Sequence, residues 1–393
     1  MAGSGPRSGS GTGRRVAVVG GGAVGVTAAR DLAAAGADVT LFERGDLGSG
    51  ASGRAAGVLY DAYAEDVDAR VGARALERFR DLSGTNGFAF RECPYVMLAR
   101  EGDDDLIDAV EGAAGRMRAH GREVETLSGE ALADRFPGID AGDVAVAAVA
   151  GNAGWTDPGT YVAAMAERAA AAGAEIRTDS EVSVSTTPPG VAVASEAPVT
   201  RRFDAVVVAA GAHTKRVLAD AGIRVPLKPY RVQALVSGRD YDGPMWYDAS
   251  AGVYARPNPG GLLAGDGTVP EEADPDEWER GADEWFIAEV SETLRERAGH
   301  DPAVERAWAG LCTATPDGDP LLGEVADGVY VAAGWQGHGF MRAPATGEVI
   351  AEQVLGEDEG VEQFDPGRFD GDEAFEITEG MAVETGEDTG VPE

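Results

Sequence analysis

Residues 15–43 restrict the fold more than any other part of the chain. The short apolar run Arg15-Val-Ala-Val-Val-Gly20 leads directly into Gly20-Gly21-Gly22-Ala23-Val24-Gly25, after which Val24, Ala28, Leu32 and Ala35 recur at helical spacing. A β-branched run of this kind suits a parallel strand covered on both faces, and the 3.6-residue period that follows predicts a helix. Gly36 supplies a stop, and a second strand is expected over 38–42. In such a β-α-β unit Gly20 allows the tight turn, Gly22 lets backbone approach a pyrophosphate, and Gly25 permits close helix–strand packing. The helix N-terminus at Ala23 and Val24 then faces the phosphates. Glu43, followed by Arg44, ends the second strand, where a carboxylate accepts both ribose hydroxyls and repels a 2′-phosphate. The unit therefore points to FAD or NAD over NADP.

The rest of the chain returns to this pattern twice. Helices are expected over 67–82 and 104–120, with a strand-like stretch over 89–99 broken at Cys93-Pro94. Asp157 can cap a helix that has Pro158 at its first position and ends at Gly173. Strands are expected over 175–177, 181–185 and 191–194, and 204–211 is another buried-strand run closing on glycine. From 225 to 265 alternating strands and turn pairs such as Asn258-Pro259-Gly260-Gly261 predict an antiparallel sheet. A charged helix over 284–298 precedes a last α/β segment, 307–355, with a strand over 328–333 and a long helix after Gly339.

The expected fold class is thus α/β, α+β overall: a discontinuous Rossmann-like cofactor domain (14–90, 151–224 and 307–356) with an inserted antiparallel-sheet substrate domain (91–150 and 225–306). Residues 1–13 read as a disordered lead, and 357–393 as an acidic tail, mobile from about Ile377.

Composition limits the partners. Lys and Arg total 33 against 68 Asp and Glu, a formal charge of -35, which disfavours nucleic acid and anionic membranes. So acidic a surface fits a protein adapted to high salt. No run approaches the roughly 18 apolar residues of a membrane span, and no secretory signal precedes the first strand, so a cytoplasmic protein is expected. Cys93 and Cys312 have no metal or disulfide spacing, and no metal is expected.

The choice of FAD comes from a resemblance. Gly48-Ser-Gly-Ala-Ser-Gly-Arg-Ala-Ala-Gly57 resembles the second phosphate-contacting segment of the D-amino-acid oxidase superfamily of flavoproteins. Four further segments fit in order: Gly154-Trp-Thr-Asp-Pro158, Val206-Val-Val-Ala-Ala-Gly211, Trp308-Ala-Gly-Leu-Cys-Thr-Ala-Thr-Pro-Asp-Gly-Asp-Pro-Leu-Leu-Gly323, and Gly334-Trp-Gln-Gly-His-Gly-Phe-Met-Arg-Ala-Pro-Ala-Thr-Gly347. Together they cover nearly the whole folded chain and lie nearest the glycine oxidase and sarcosine oxidase branch. The resemblance implies non-covalent FAD, with Ala51, Ser52 and Gly57 near the pyrophosphate and flavin, Val182 beside the adenine, and Gly211 near the phosphates. It also implies that Gly337, His338, Gly339, Phe340 and Met341 line the flavin pyrimidine edge, where a helix start stabilises charge that accumulates on reduction.

By the same resemblance the expected activity is hydride transfer from a C–N bond of a small amino acid or N-methyl amine, such as glycine, sarcosine or a D-amino acid, with oxygen or another electron acceptor. Hydroxy-acid or polyol oxidation, or a flavin subunit of a hetero-oligomeric amino-acid dehydrogenase, are the alternatives; homo- and hetero-oligomers stay open. Cys312 and Met341 stand where relatives place carboxylate-binding residues, and Arg231, Arg256 and Arg342 are the replacements considered. His338 and Tyr254 are the catalytic candidates; Tyr254, Arg256, Cys312 and Trp335 are the substrate candidates.

Overall fold

A computed structural model describes residues 13–194, 199–299, 301–378 and 380. The expected disordered lead falls, but for Gly13, outside these residues, as does the acidic tail beyond 380. Strand Arg15–Val19 lies at the middle of a six-stranded sheet, parallel to Asp38–Phe42 on one side and to Ala205–Val208 on the other. Glu175–Arg177 and Val329–Ala333 extend it in parallel, and Leu321–Ala326 closes one edge antiparallel.

Both faces of this sheet are covered, which is why its strands read as unbroken apolar runs. Val16 and Val18 point into one core with Leu32, Met165 and Ile350 from three helices, Ala23–Ala34, Pro158–Ala171 and Gly339–Leu355. Ala17 and Val19 point the other way, against Val184, Val191 and Phe203. The first and last of these helices pack closely enough that a Cβ on Gly347 would come within 2.5 Å of the Thr27 Cβ. The Thr27 and Tyr161 hydroxyls meet at 2.8 Å, tying in the third helix. Asp157 caps that helix by accepting from the Thr160 amide, with Pro158 in its first turn.

The second layer is an eight-stranded sheet in the order Val304–Ala314, Lys228–Ser237, Gly261–Val269, Val253–Asn258, Met245–Asp248, Tyr95–Arg100, Val144–Ala150 and Val124–Leu127. All neighbours are antiparallel except Met245–Asp248 with Tyr95–Arg100. Strand alternation divides its side chains: Trp246 and Ala255 join Phe286, Val290 and Leu294 of helix Glu284–Ala298, whereas Tyr247 and Tyr254 face the opposite way.

Two expectations about organisation are corrected. Residues 307–314, placed with the cofactor segments from sequence, belong to the eight-stranded sheet, because Val304–Ala314 pairs along its length with Lys228–Ser237. The tail does not detach at Ile377: Phe364 is fully buried in the helical core, Ile377 packs on Tyr230 and Ala314, and the Gln336 side chain donates to the Thr378 carbonyl. The apolar residues Phe364, Phe375 and Ile377 are too few to show a period yet suffice to seat the segment.

Candidate active site

A cavity of about 680 Å³ lies between the two sheets, within the range of cofactor and ligand pockets. The phosphate loop forms one part of its wall. Gly20 has φ of +113° and a Cβ there would overlap the Ala209 carbonyl; a Cβ on Gly25 would overlap the Gly20 carbonyl oxygen. Gly20, Gly22, Ala23 and Val24 line the cavity, while Gly25 sits behind them and sets the helix against the strand. The Glu43 carboxylate accepts from the Gly21 amide at 2.7 Å and the Gly45 amide at 2.9 Å, which holds an acid at the end of the second strand.

Other parts of the chain complete this half. The Ser52 hydroxyl accepts from the Ala23 amide at 2.9 Å, pinning the second phosphate-contacting segment to the helix start. Ala51, Ser52, Gly57, Val182 and Gly211 all line the cavity, as does Arg44. Arg44 is ion-paired at 3.0 Å with Asp276, a residue that also meets His213 at 3.0 Å and Arg216. Hydrogen bonds from Arg44 and His213 hold the Asp276 carboxyl at about 2, below the usual carboxylate range. Residues 270–283 thereby form a strap along this side of the cavity, with Pro275, Asp276, Trp278 and Arg280 on its wall.

The helix Gly339–Leu355 begins at the cavity wall, and Gly337, Gly339, Phe340, Met341 and Trp335 line it. Its first-turn amides have no intrahelical acceptors, so this end presents donors and the positive end of a helix dipole. A Cβ on Gly339 would lie 2.9 Å from the Trp335 ring, so glycine is required for the turn to close. A glycine loop, an anchored acid, a serine-pinned second segment and a dipole end on one cavity together fit a flavin dinucleotide.

Two expected site residues are corrected. His338 does not line the cavity: its amide donates to the Trp335 carbonyl, and its ring is buried against Tyr60 (Nε2 to hydroxyl, 3.5 Å) and Tyr63 (ring centroids 5.6 Å apart). Burial, aided by Arg342, pushes its pKa down to about 3, which keeps the ring neutral at neutral pH. Arg256 is also withdrawn from substrate. Its guanidinium donates to the Ala56 carbonyl at 2.5 Å and the Pro257 carbonyl at 2.6 Å and lies over Trp155, so it props the second phosphate-contacting segment. The other two arginines are equally engaged: Arg231 with Asp283 at 3.2 Å, and Arg342 with Asp68 at 2.8 Å.

The remaining wall comes from the eight-stranded sheet. Cys312 and Tyr254 line it as expected, and Tyr95, Tyr247 and Asp266 line it without having been singled out from sequence, joined by Tyr60 from the separate strand Val58–Tyr60. Tyr60 and Tyr95 stack at 4.6 Å. Burial raises the Tyr254 phenol well above its ordinary value, with Asp266 the next cause, and pushes the Cys312 thiol up to about 12, again with Asp266 second. The one sequence signal for Asp266 is a carboxylate between two glycines at the end of the apolar run Leu262-Leu263-Ala264. Gly265 is small because the Tyr254 hydroxyl lies across it.

The neutral assignment of His338 gives a measurable outcome. H338Q is expected to keep the wild-type pH profile of flavin reduction between pH 6 and 9; loss of a limb near neutrality would restore a proton-transfer role. Because the folded pKa lies below the unfolded value of about 6.5, stability is full above that pH and falls as pH drops from there toward 3. H338Q removes this contribution, and its acid denaturation profile should be flatter.

Residues 15–353 match the DAO family, described as FAD dependent oxidoreductase. Glycine oxidase of Geobacillus kaustophilus is 30% identical over 371 residues, 86% of this chain and 92% of its own length. The 4-methylaminobutanoate oxidase (formaldehyde-forming) of Paenarthrobacter nicotinovorans is 29% identical over 384 residues, 91% of this chain; this chain spans only 45% of that longer protein. Among solved structures, L-proline dehydrogenase from P. horikoshii superimposes with a TM-score of 0.82 at 28% identity, covering 91% of this chain and 97% of the other. Among the described residues no helix is long and apolar enough to cross a membrane.

Proposed function

The chain belongs to the DAO family of FAD-dependent oxidoreductases, and from that premise we propose that it oxidises the C–N bond of a small amine or amino acid. The observation that carries the reading is the continuity of one cavity from the Gly20–Gly25 loop to the tyrosine-lined sheet, so that dinucleotide and reactant would share a single cleft. FAD, when bound, supplies the two-electron acceptor. The chain's own contribution is to hold, orient and shield. Gly22, Glu43, Ser52 and Val182 would hold the dinucleotide; the start of helix Gly339–Leu355 would offer donors and the positive end of its dipole to charge gained on reduction; and Tyr60, Tyr95 and Tyr254 would form a largely apolar wall that shields the reactant from water.

In the reaction a hydride leaves the carbon bearing nitrogen, and the nitrogen lone pair becomes the C=N bond. Water then adds to the imine and releases a carbonyl compound and an amine or ammonia. No side-chain base is required when the amine reacts unprotonated, consistent with the absence of an ordinary proton acceptor at His338. The test is anaerobic titration of the holoprotein with small amines, amino acids, hydroxy acids and polyols while following flavin absorbance. Bleaching by amines or amino acids is expected; bleaching by hydroxy acids or polyols alone would contradict the proposal.

Non-covalent FAD accords with a half-buried Cys312 whose thiol stays protonated and is therefore a poor nucleophile. Acid precipitation is expected to leave the flavin in the supernatant. Yellow colour retained in the washed pellet would refute this.

A further inference from the structure

We infer that Arg54 and Arg280 together form a binding site for an oxyanion, a diphosphate or a carboxylate, where the cavity meets the edge strand Val304–Ala314 of the eight-stranded sheet. The site is separate from the positions of Cys312 and Met341, and it stands or falls independently of which bond the protein oxidises.

The two arginines come from different segments, the second phosphate-contacting segment and the strap, and one short stretch of the edge strand brings them together. The Trp308 indole donates to the Arg54 carbonyl at 3.1 Å, and the Ala309 amide donates to the Arg280 carbonyl at 2.9 Å. Gly310 follows, and a Cβ there would lie 3.3 Å from the Arg54 Cβ, so the absence of a side chain leaves room for the arginine stem. Both guanidiniums lie against the Trp278 ring, Arg54 at 5.8 Å and Arg280 at 5.1 Å from its centroid. The Trp278 indole in turn donates to the Pro275 carbonyl at 3.2 Å, which fixes the ring. Arg54, Trp278, Arg280, Trp308 and Gly310 all line the cavity.

Neither arginine has an acidic partner among the described residues. Arg54 donates to the carbonyls of Ser49 and Gly50, the latter at 3.1 Å, which orients its head without neutralising it. The Arg280 side chain meets the Trp278 ring. Such a pair stands out in a chain with 68 acidic residues against 33 Lys and Arg, because the other two arginines on the cavity, Arg44 and Arg216, are paired with Asp276. Burial, and then the nearby Arg280 charge, lower the Arg54 pKa, as expected of two cations placed together. Like charges held side by side by backbone contacts repel until an anion joins them, and each planar guanidinium matches the paired oxygens of a phosphate or carboxylate. The cavity has two sources of such a group: the diphosphate of the dinucleotide and a carboxylate on the reactant.

R280Q in purified holoprotein tests the site, since Arg280 is exposed and outside any helix or strand, so the substitution leaves the fold intact. FAD release is timed by the fluorescence gained on dilution, and butyrate, with 1-butanol as its uncharged counterpart, is titrated while following flavin absorbance. If the diphosphate is the anion, R280Q releases FAD about tenfold faster than wild type. If a reactant carboxylate is the anion, FAD release is unchanged and R280Q binds butyrate about tenfold more weakly, with 1-butanol unaffected. R54Q is expected to act on the same quantity as R280Q, and R280K, which keeps the charge without the fork, to recover part of it. R306Q is the control: Arg306 lies over the Trp308 ring at 4.1 Å but does not line the cavity, and its loss should change neither quantity. An R280Q protein within roughly twofold of wild type in both measurements, or an R306Q protein that matches it, would overturn the inference.

Discussion

Replacing Gly25 by alanine is expected to leave the purified protein nearly free of FAD and to lower its stability by about 3 kcal/mol. The added methyl would overlap the Gly20 carbonyl oxygen, a main-chain atom that cannot swing aside. Relief requires helix Ala23–Ala34 to move off strand Arg15–Val19. That helix is locked in its turn by Gly347 against Thr27 and by the bond between the Thr27 and Tyr161 hydroxyls, so the displacement spreads into the core. It also moves the Ala23 amide from the Ser52 hydroxyl, loosening both phosphate-contacting segments together. The flavin-to-protein absorbance ratio and a urea unfolding curve check this. A G25A protein that purifies with stoichiometric FAD would show that the close contact is not what shapes the loop.

Substituting Asp248 by alanine should act on the other layer, costing about 3–5 kcal/mol while leaving FAD binding intact. Asp248 is fully buried at the end of strand Met245–Asp248 and accepts from Arg297 at 2.8 Å and from Arg100 at 2.9 Å. Arg297 is itself 1% exposed and also reaches Asp143 at 2.7 Å and the Asp140 carbonyl at 2.5 Å. Removing the shared carboxylate strands a charge where water cannot reach it, which is worse than never having buried the pair. Because Tyr247 precedes Asp248 on the strand and lines the cavity, KM for the substrate should rise as well. A fall in stability below about 1 kcal/mol would mean that Asp143 and the carbonyl satisfy Arg297 without help.

The contrast between these two variants follows what could and could not be read from the sequence. Around Gly20 to Glu43 each chemical role is carried by residues close in sequence: a strand, a turn, a helix and an acid whose spacing is fixed by backbone geometry. Strands Arg15–Val19 and Asp38–Phe42 and the capped helix at Asp157 were therefore legible almost residue by residue. The substrate wall has no such local grammar. Tyr247, Tyr254 and Asp266 meet through antiparallel neighbours, and Tyr95 joins them only because parallel pairing of Met245–Asp248 with Tyr95–Arg100 unites the two inserted segments in one sheet.

Side-chain direction was the other blind spot. His338 sits among residues that line the cavity, and nothing in Gly337-His338-Gly339 says that its ring turns away toward Tyr60 and Tyr63. Arg256 lies at the middle of strand Val253–Asn258, and nothing in its spacing shows that its guanidinium is spent on the Ala56 carbonyl. Charged groups in this protein are largely consumed by one another, and sequence alone cannot distinguish an arginine waiting for a ligand from one already satisfied.

The most direct test of C–N bond oxidation is the product count of a single anaerobic turnover. One equivalent, per bound FAD, of whichever small amine, amino acid or hydroxy compound bleaches the flavin in the anaerobic screen should release, in equal amounts, one carbonyl compound and one amine or ammonia. Flavin reduction accompanied by a carbonyl product but no released amine or ammonia, as a hydroxy compound would give, would contradict it.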